Sequence, residues 1–364
     1  MQFTRDLLFI TEKSDITEYR VRAEAEKTAV HWGERKLLIN EIEFLSLFWK
    51  PTEIPKPQCV YIGAAPGTHI DLLARLYPEI AFHLYDPREF VINDYLSGGE
   101  QNVKIYTGDQ GLFTDEIARS WSGRDDVIMI SDIRAAGLEG KSSKEYDDVV
   151  IRDMNHQQRW YSLIKPRIAS LKFRLPYYNP GGATNFAYLN GYVLKGVWPL
   201  ASSTETRLVP VGESIREWDL KWYEQALAYH NQHFREGTTF FNLFTNLLEP
   251  IDAPELLNDF DSTAEAFILR GYLRTRNPDP NIPMAYVIAL SKYITNELNG
   301  WSSIRTTIDI LRKTPGHSTV IRQQLLHDPQ KRGLVKPIYQ RKTRGRTRTA
   351  SAEEEAKQEL LPLE

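Results

Sequence analysis

Lys36, Asp132, Lys172 and Glu205 are the side chains whose types and order could move a proton in a confined site. A lysine amine becomes a base when burial and neighbouring positive charge depress its pKa, and carboxylates beside it orient the amine. A second constellation interleaves with the first. In Tyr61-Ile62-Gly63-Ala64-Ala65-Pro66-Gly67-Thr68-His69, Gly63 and Gly67 let backbone approach a ligand closely. The pattern is not G-x-G-x-x-G, and no Lys-Ser/Thr pair follows Gly67, so a dinucleotide or nucleoside triphosphate is disfavoured. A ligand without phosphates fits better, and S-adenosylmethionine offers an adenosine, a sulfonium and an amino-acid end. Asp86 follows about twenty residues later, where a carboxylate can accept from both ribose hydroxyls. Methyl transfer from a sulfonium to a ribose hydroxyl needs in-line alignment and a base for the hydroxyl proton. The two constellations together supply both.

Taken singly, each residue has a plainer reading. A lysine in a strand is most often solvent-facing. Asp132 would serve as a helix cap, Glu205 as a surface strand acid, and Lys36 as a first-turn lysine. Tyr19 would be an ordinary aromatic of an N-terminal arm.

The elements that must hold these residues follow from periodicity. Leu38, Ile42, Leu45 and Trp49 mark a helix over 34–49, ended by Pro51, Pro55 and Pro57. Strands are predicted at 59–62, 80–85, 103–106, 126–131, 168–173, 192–198 and 205–211. Helices are predicted at 68–77, 112–120 and 147–163. Further helices fall at 218–234, 238–248, 264–273, 286–298 and 303–311. Strands alternating with helices from residue 59 predict an α/β fold with a mostly parallel central sheet flanked by helices. In such sheets ligands sit outside the carboxyl ends of the strands, and Gly63, Asp86, Asp109 and Asp132 all lie there. The division expected is an arm over 1–30, a catalytic domain over 31–237, a helical extension over 238–328 and a tail over 329–364.

Charge is unevenly spread. The chain of 364 residues carries a formal net charge of −3, but residues 331–364 hold nine Lys/Arg against five Asp/Glu, leaving 36 against 43 in residues 1–330. A broadly basic nucleic-acid coat is therefore excluded for the folded part, and any RNA must enter a local cleft. The tail, with eight basic residues between Lys331 and Arg348, reads either as a solvated arm or as an accessory RNA or partner contact. Cys59 is the lone cysteine, which excludes an internal disulfide and fits a reducing compartment. The histidines lack H-x-x-x-H spacing, so no metal is expected. No apolar run spans a bilayer, and a soluble cytoplasmic protein is expected.

The local text also carries a resemblance. GERKLLINEIEFL (33–45), YIGAAPGTHI (61–70), LYDPR (84–88), IMISDIR (128–134), SLKFRLPY (170–177) and SSTETRL (202–208) stand in one order through the first two thirds of the chain. The Lys-Asp-Lys-Glu order is similar to that of the FtsJ-like RNA 2′-O-methyltransferases. The text resembles more closely the poxvirus-type cap-specific mRNA (nucleoside-2′-O-)-methyltransferases that double as poly(A) polymerase regulatory subunits. The resemblance implies a Rossmann-like S-adenosylmethionine-dependent methyltransferase fold with a helical C-terminal extension. It implies Lys172 as general base, completed by Lys36, Asp132 and Glu205. Glu34, Tyr61, Gly63, Gly67, Asp86, Arg88 and Asp132 match positions lining the methyl-donor site. Arg174, Leu175, Pro176, Tyr177, Ser203, Thr204 and Glu205 match contacts to the cap and first nucleotides. Tyr19 and Tyr177 resemble two aromatic faces that sandwich 7-methylguanine, and Glu224 the carboxylate that accepts from the guanine edge. At position 179 the family has an acid and this chain has Asn179, which can accept from one guanine N–H without the charge-assisted strength.

The resemblance makes the 5′ end of capped mRNA the expected substrate and a poly(A) polymerase catalytic subunit a further expected partner. For a viral protein, the location implied is a virion or cytoplasmic replication site. Two other functions fit parts of the pattern: a non-catalytic processivity module, and an FtsJ-like methyltransferase of ribosomal or transfer RNA. The tetrad favours catalysis over the first, and Tyr177 with Glu224 favours a cap enzyme over the second.

Overall fold

In the computed structural model, residues 5–19, 33–91, 102–134, 143–200, 202–235, 260–277 and 281–298 are described. Eight strands form one sheet: β1 (Phe9–Ile10), β2 (Gln58–Ile62), β3 (Ala81–Tyr85), β4 (Val103–Tyr106), β5 (Val127–Ser131), β6 (Ile168–Phe173), β7 (Asn185–Leu194) and β8 (Thr206–Asp219). Their spatial order is β1-β7-β8-β6-β5-β2-β3-β4. The five strands from β4 to β6 are parallel, with Tyr61 beside both Leu84 and Ile130. The short apolar sequences QCVYI and VIMIS suit strands covered on both faces. β8 returns antiparallel to β6, β7 pairs antiparallel with β8, and β1 closes that edge.

Strand order reverses direction between β2 and β5, so their carboxyl ends part into a crevice at the switch point. Gly63 follows β2 and Asp132 follows β5. The Asp132 N–H donates to Ile62 O (2.9 Å) and the Gly63 N–H to Tyr85 O (2.8 Å), which ties the crevice rim together. Gly63 has φ +78°, and a Cβ there would lie 2.8 Å from Ile133 backbone atoms, so only glycine fits.

Helices cover both faces. On one side lie α1 (Gly33–Phe48) and α2 (Ile70–Leu76); on the other lie α3 (Asp115–Ser120), α4 (Ser143–Ile164) and α5 (Leu220–Tyr229). Asp219 caps α5 by accepting from the Trp222 N–H at 2.9 Å. A π-helical turn, His230–Arg235, continues α5. α6 (Phe260–Arg276) and α7 (Met284–Glu297) pack into the same core as α1. Fully buried Arg35 of α1 bonds Glu265 through Nε (2.7 Å) and Nη2 (2.5 Å), and Ser291 Oγ at 2.9 Å. The residue before Lys36 is thus anchored to both α6 and α7.

Several boundaries differ from expectation. β7 begins seven residues earlier than predicted and ends at Leu194, because Gly196 (φ +69°) and Trp198 (φ +59°) turn the chain out of the sheet. β8 runs on to Asp219, with a register irregularity opposite Leu189 to Gly191. The expected irregular arm contains β1, whose two residues owe their extended form to pairing with Val193 and Leu194. The expected helices at 238–248 and 303–311, and the tail, lie outside the described residues.

One buried group in α1 has a measurable cost. Both Glu43 oxygens are buried without a hydrogen bond, and burial pushes its carboxyl up from 4.5 to about 8. The folded protein therefore holds a proton that the unfolded chain releases, and stability from this group falls as pH rises from about 4.5 to about 8. Glu43→Met should be more stable than wild type at pH 8 by roughly 1–3 kcal/mol, a gain that shrinks towards pH 5. Denaturant unfolding at the two pH values checks it. A pH-independent difference would show that Glu43 does not titrate in this window.

Candidate active site

The Lys-Asp-Lys-Glu set converges at the switch point. Lys172 sits in β6 between Leu171 and Phe173, both fully buried, and strand alternation turns its amine the other way. Its Nζ lies 3.2 Å from Asp132 Oδ1 and 3.6 Å from Glu205 Oε2. Lys36, in the first turn of α1, donates to Glu205 Oε1 at 2.8 Å. The Lys172 side chain is 11% exposed, enough to meet a substrate while losing most of its water.

Two arginines absent from the sequence reading complete the cluster. Arg207 is 5% exposed and donates through Nη2 to Asp132 Oδ1 (2.5 Å) and through Nη1 to Glu205 Oε1 (3.4 Å). It pairs directly across the strands with Lys172. Arg134 lies 3.9 Å from Glu205 and 3.5 Å from Asp153. Like charges opposite each other in a sheet are unfavourable. Here that proximity has a use. Burial, aided by Arg134 and Arg207, holds the Lys172 pKa below the ordinary lysine value, against the pull of Asp132 and Glu205. Burial alone would raise both acids, but Lys172 first, then Arg207 at Asp132 and Lys36 at Glu205, outweigh it and keep them ionised. The signal was available: in the strand expected at 205–211, Arg207 is two residues beyond Glu205 and so on the same face.

The glycine turn forms one wall of the crevice. Asp86, 3% exposed at the end of β3, accepts from the Ala65 N–H at 3.1 Å and from three groups of Arg88: N–H and Nε on Oδ1 (both 2.9 Å), and Nη2 on Oδ2 (2.7 Å). Those donors fill its lone pairs. Ribose hydroxyls can reach Asp86 only where the Arg88 side chain, 60% exposed, gives way. Gly111 packs against Asp86, since a Cβ there would lie 2.2 Å from Asp86 O, while Asp109 is exposed on the preceding turn.

Below the turn is a buried network. Tyr61, 1% exposed, donates its hydroxyl to Glu41 Oε1 at 2.5 Å. His69 bridges Glu41 Oε1 (Nε2, 3.0 Å) and Glu34 Oε2 (Nδ1, 3.0 Å), and Thr68 Oγ1 donates to the same Glu34 oxygen. Burial would strip the imidazole of its proton, but Glu41 and then Glu34 outweigh it and push its pKa up to about 10. Burial would raise the Glu34 carboxyl, but His69 and Thr68 hold it below its ordinary value.

The expected cap residues gather where β6 runs out. The Tyr19 and Tyr177 rings lie 5.8 Å apart, inclined by 36°. Arg174 does not face outward: it is 5% exposed, held by Asp147 (3.0 Å), with its guanidinium 4.3 Å from the Tyr177 ring centroid and 4.5 Å from that of Tyr146. Asp147 also accepts from the Tyr177 N–H (3.3 Å), and Glu224 from the Tyr178 N–H (3.3 Å). Leu175 is buried, Pro176 half-buried and Asn179 exposed. Ser203 Oγ caps the Glu205 N–H at 3.1 Å, and Thr204 is buried with its carbonyl taken by Tyr223. Asp147 and Tyr146 escaped the sequence reading, because nothing in a helical SKEYDD predicts which strand end it meets.

Among the described residues no cluster of three or more His, Cys, Asp or Glu could hold a metal ion, and no helix is long and apolar enough to cross a membrane. A mixed sheet whose five parallel strands open a crevice between a glycine turn and an acidic strand end, flanked by helices, is an α/β Rossmann-like methyltransferase fold. The chain belongs to the poly(A) polymerase regulatory subunit family, whose sequence pattern matches residues 2–268. It is 28% identical over 246 residues to a protein of myxoma virus (strain Lausanne) named cap-specific mRNA (nucleoside-2′-O-)-methyltransferase, covering 64% of this chain and 70% of that one. A fowlpox virus (strain NVSL) protein of the same name is 30% identical over 186 residues, covering 49% and 58%. Human methyltransferase-like protein 13, solved with SAH, aligns over 56% of this chain and 95% of that one at 13% identity and a TM-score of 0.30, too slight a likeness to bear on the site.

If Asp86 holds the adenosine ribose, Asp86→Ala should weaken donor binding by about 1.5–3 kcal/mol and leave RNA binding unchanged. Calorimetry giving equal donor affinity in variant and wild type would place the adenosine elsewhere.

Proposed function

We propose that this protein transfers a methyl group from S-adenosylmethionine to the ribose 2′-hydroxyl of the first transcribed nucleotide of capped mRNA. The observation that carries the reading is the convergence of Lys172, Asp132, Glu205 and Lys36 at the switch point of the sheet. The family membership and the names of the viral relatives support it. Those relatives also support a viral origin and, with it, a cytoplasmic place of action.

The chain's residues divide the work. When bound, S-adenosylmethionine supplies an electrophilic methyl carbon beside a sulfonium that leaves as a neutral thioether. Gly63, Gly67, Glu34 and Asp86 line the part of the crevice where that donor would sit. Glu34 Oε1 carries no hydrogen bond from any of the described residues and suits a cationic amino group. Lys172, unprotonated, accepts the 2′-hydroxyl proton as the oxygen bonds to the methyl carbon and the carbon–sulfur pair stays on sulfur. Asp132 and Glu205 then balance the ammonium formed, and Arg207 fixes both acids.

Tyr19 and Tyr177 would hold the cap. A ring intercalated between two others needs about 7 Å, so the pair must open by about 1 Å from its 5.8 Å spacing. A 7-methylated guanine is cationic, and stacking it on tyrosine faces adds roughly 0.5–2 kcal/mol over the unmethylated base. Fluorescence titration should show preference for the methylated cap analogue, lost in Tyr177→Ala and kept in Tyr177→Phe. Equal affinity of the wild type for both analogues would move the substrate towards uncapped RNA. The family name supports a second role, as regulatory subunit of a poly(A) polymerase.

A further inference from the structure

The network under the glycine turn is not explained by methyl transfer itself. His69 is 2% exposed, yet each ring nitrogen lies 3.0 Å from a carboxylate oxygen. A neutral imidazole has one N–H and would turn a lone pair towards one of the two acids, whereas only the imidazolium donates to both. The carboxylates differ in kind. Glu41 is 5% exposed, receives Tyr61 and His69 on one oxygen, and has its other oxygen buried without a partner, which makes it an anchor. Glu34 is 34% exposed, takes Thr68 and His69 on Oε2, and has no hydrogen bond on Oε1 from any of the described residues. Its carboxyl lies close enough to feel the charge of Asp132, the acid that follows β5 at the crevice rim.

We infer that His69 is a positioning residue: anchored on buried Glu41, its imidazolium holds Glu34 so that Oε1 receives the ammonium of the donor's amino-acid end. This rests on the methyl-donor reading of the crevice. Glu34 and Glu41 carry two negative charges and His69 one positive, which leaves one negative charge to meet a cation. The raised His69 pKa, about 10, agrees with a permanently charged ring.

Two ligands separate this from a merely structural role. S-adenosylhomocysteine carries the amino-acid end; 5′-methylthioadenosine carries the same adenosine and a thioether but no ammonium. In calorimetry, His69→Gln should weaken S-adenosylhomocysteine by roughly tenfold or more, since a charge-assisted contact is misplaced, and 5′-methylthioadenosine by less than about twofold. Glu34→Gln should show the same selective loss. His69→Asn, whose amide nitrogen falls near the position of Nδ1, should recover part of the affinity that His69→Gln loses. Equal weakening of both ligands, or of neither, overturns the inference. A wild type that binds neither compound removes the donor site, and the inference with it. Should His69→Gln not fold, ¹⁵N spectra of the wild-type imidazole decide: at about pH 8.5, two units above an ordinary histidine pKa, both nitrogens should be protonated, and a neutral tautomer overturns the inference.

Discussion

Lys172→Ala should reduce methyl transfer by about 10²–10⁴-fold while donor affinity stays within about twofold of wild type, because loss of a general base costs that much and Lys172 is not among the residues expected to hold the donor. The geometry behind the expectation is the 3.2 Å and 3.6 Å approach of Nζ to two acids that are themselves held by Arg207 and Lys36. Because the base must be unprotonated, the wild-type rate should rise with pH through the Lys172 pKa, which burial places below the ordinary lysine value. Single-turnover assays across pH measure both effects. A variant retaining more than about a tenth of the wild-type rate would exclude Lys172 as the base.

Arg207→Leu should have the second largest effect, and through two routes. It leaves Asp132 and Glu205 partly buried with less compensating charge, and breaking a buried pair costs about 3–5 kcal/mol. It also removes a positive charge directly across the sheet from Lys172. With that charge gone, the Lys172 pKa rises, so the rising limb of the pH–rate profile should move to higher pH. The two routes are separable, since a stability loss alone lowers the thermal midpoint and leaves the profile in place. An unshifted limb in a folded variant would show that Arg207 does not tune the base.

The sequence made some of this legible and hid the rest for physical reasons. The parallel strands and the turn at Gly63 to Gly67 are written locally, in short apolar runs and a glycine that must tolerate φ +78°. The convergence of Lys36, Asp132, Lys172 and Glu205 could be expected because each lies at a strand end or helix start that the sheet brings together. Arg88 was legible as a residue of the site, but not as the group that occupies the Asp86 carboxylate. The Glu34–His69–Glu41 bridge was invisible because the ring is drawn between acids 35 and 28 residues away, and periodicity carries no such pairing. The anchoring of Arg35 by Glu265, across 230 residues, is hidden for the same reason. β1 was missed because two residues at a sheet edge have no pattern of their own.

Above all, the crevice should methylate the first ribose of capped RNA. The direct measurement is transfer of a labelled methyl group from S-adenosylmethionine to three short RNAs of one sequence, bearing a 7-methylguanosine cap, an unmethylated cap or a 5′ triphosphate. Nuclease digestion then locates the label. Label is expected on the 2′-oxygen of the first transcribed nucleotide, fastest for the 7-methylated cap and absent from the triphosphate RNA. Label on a base, at an internal ribose, or equally on all three RNAs would contradict it.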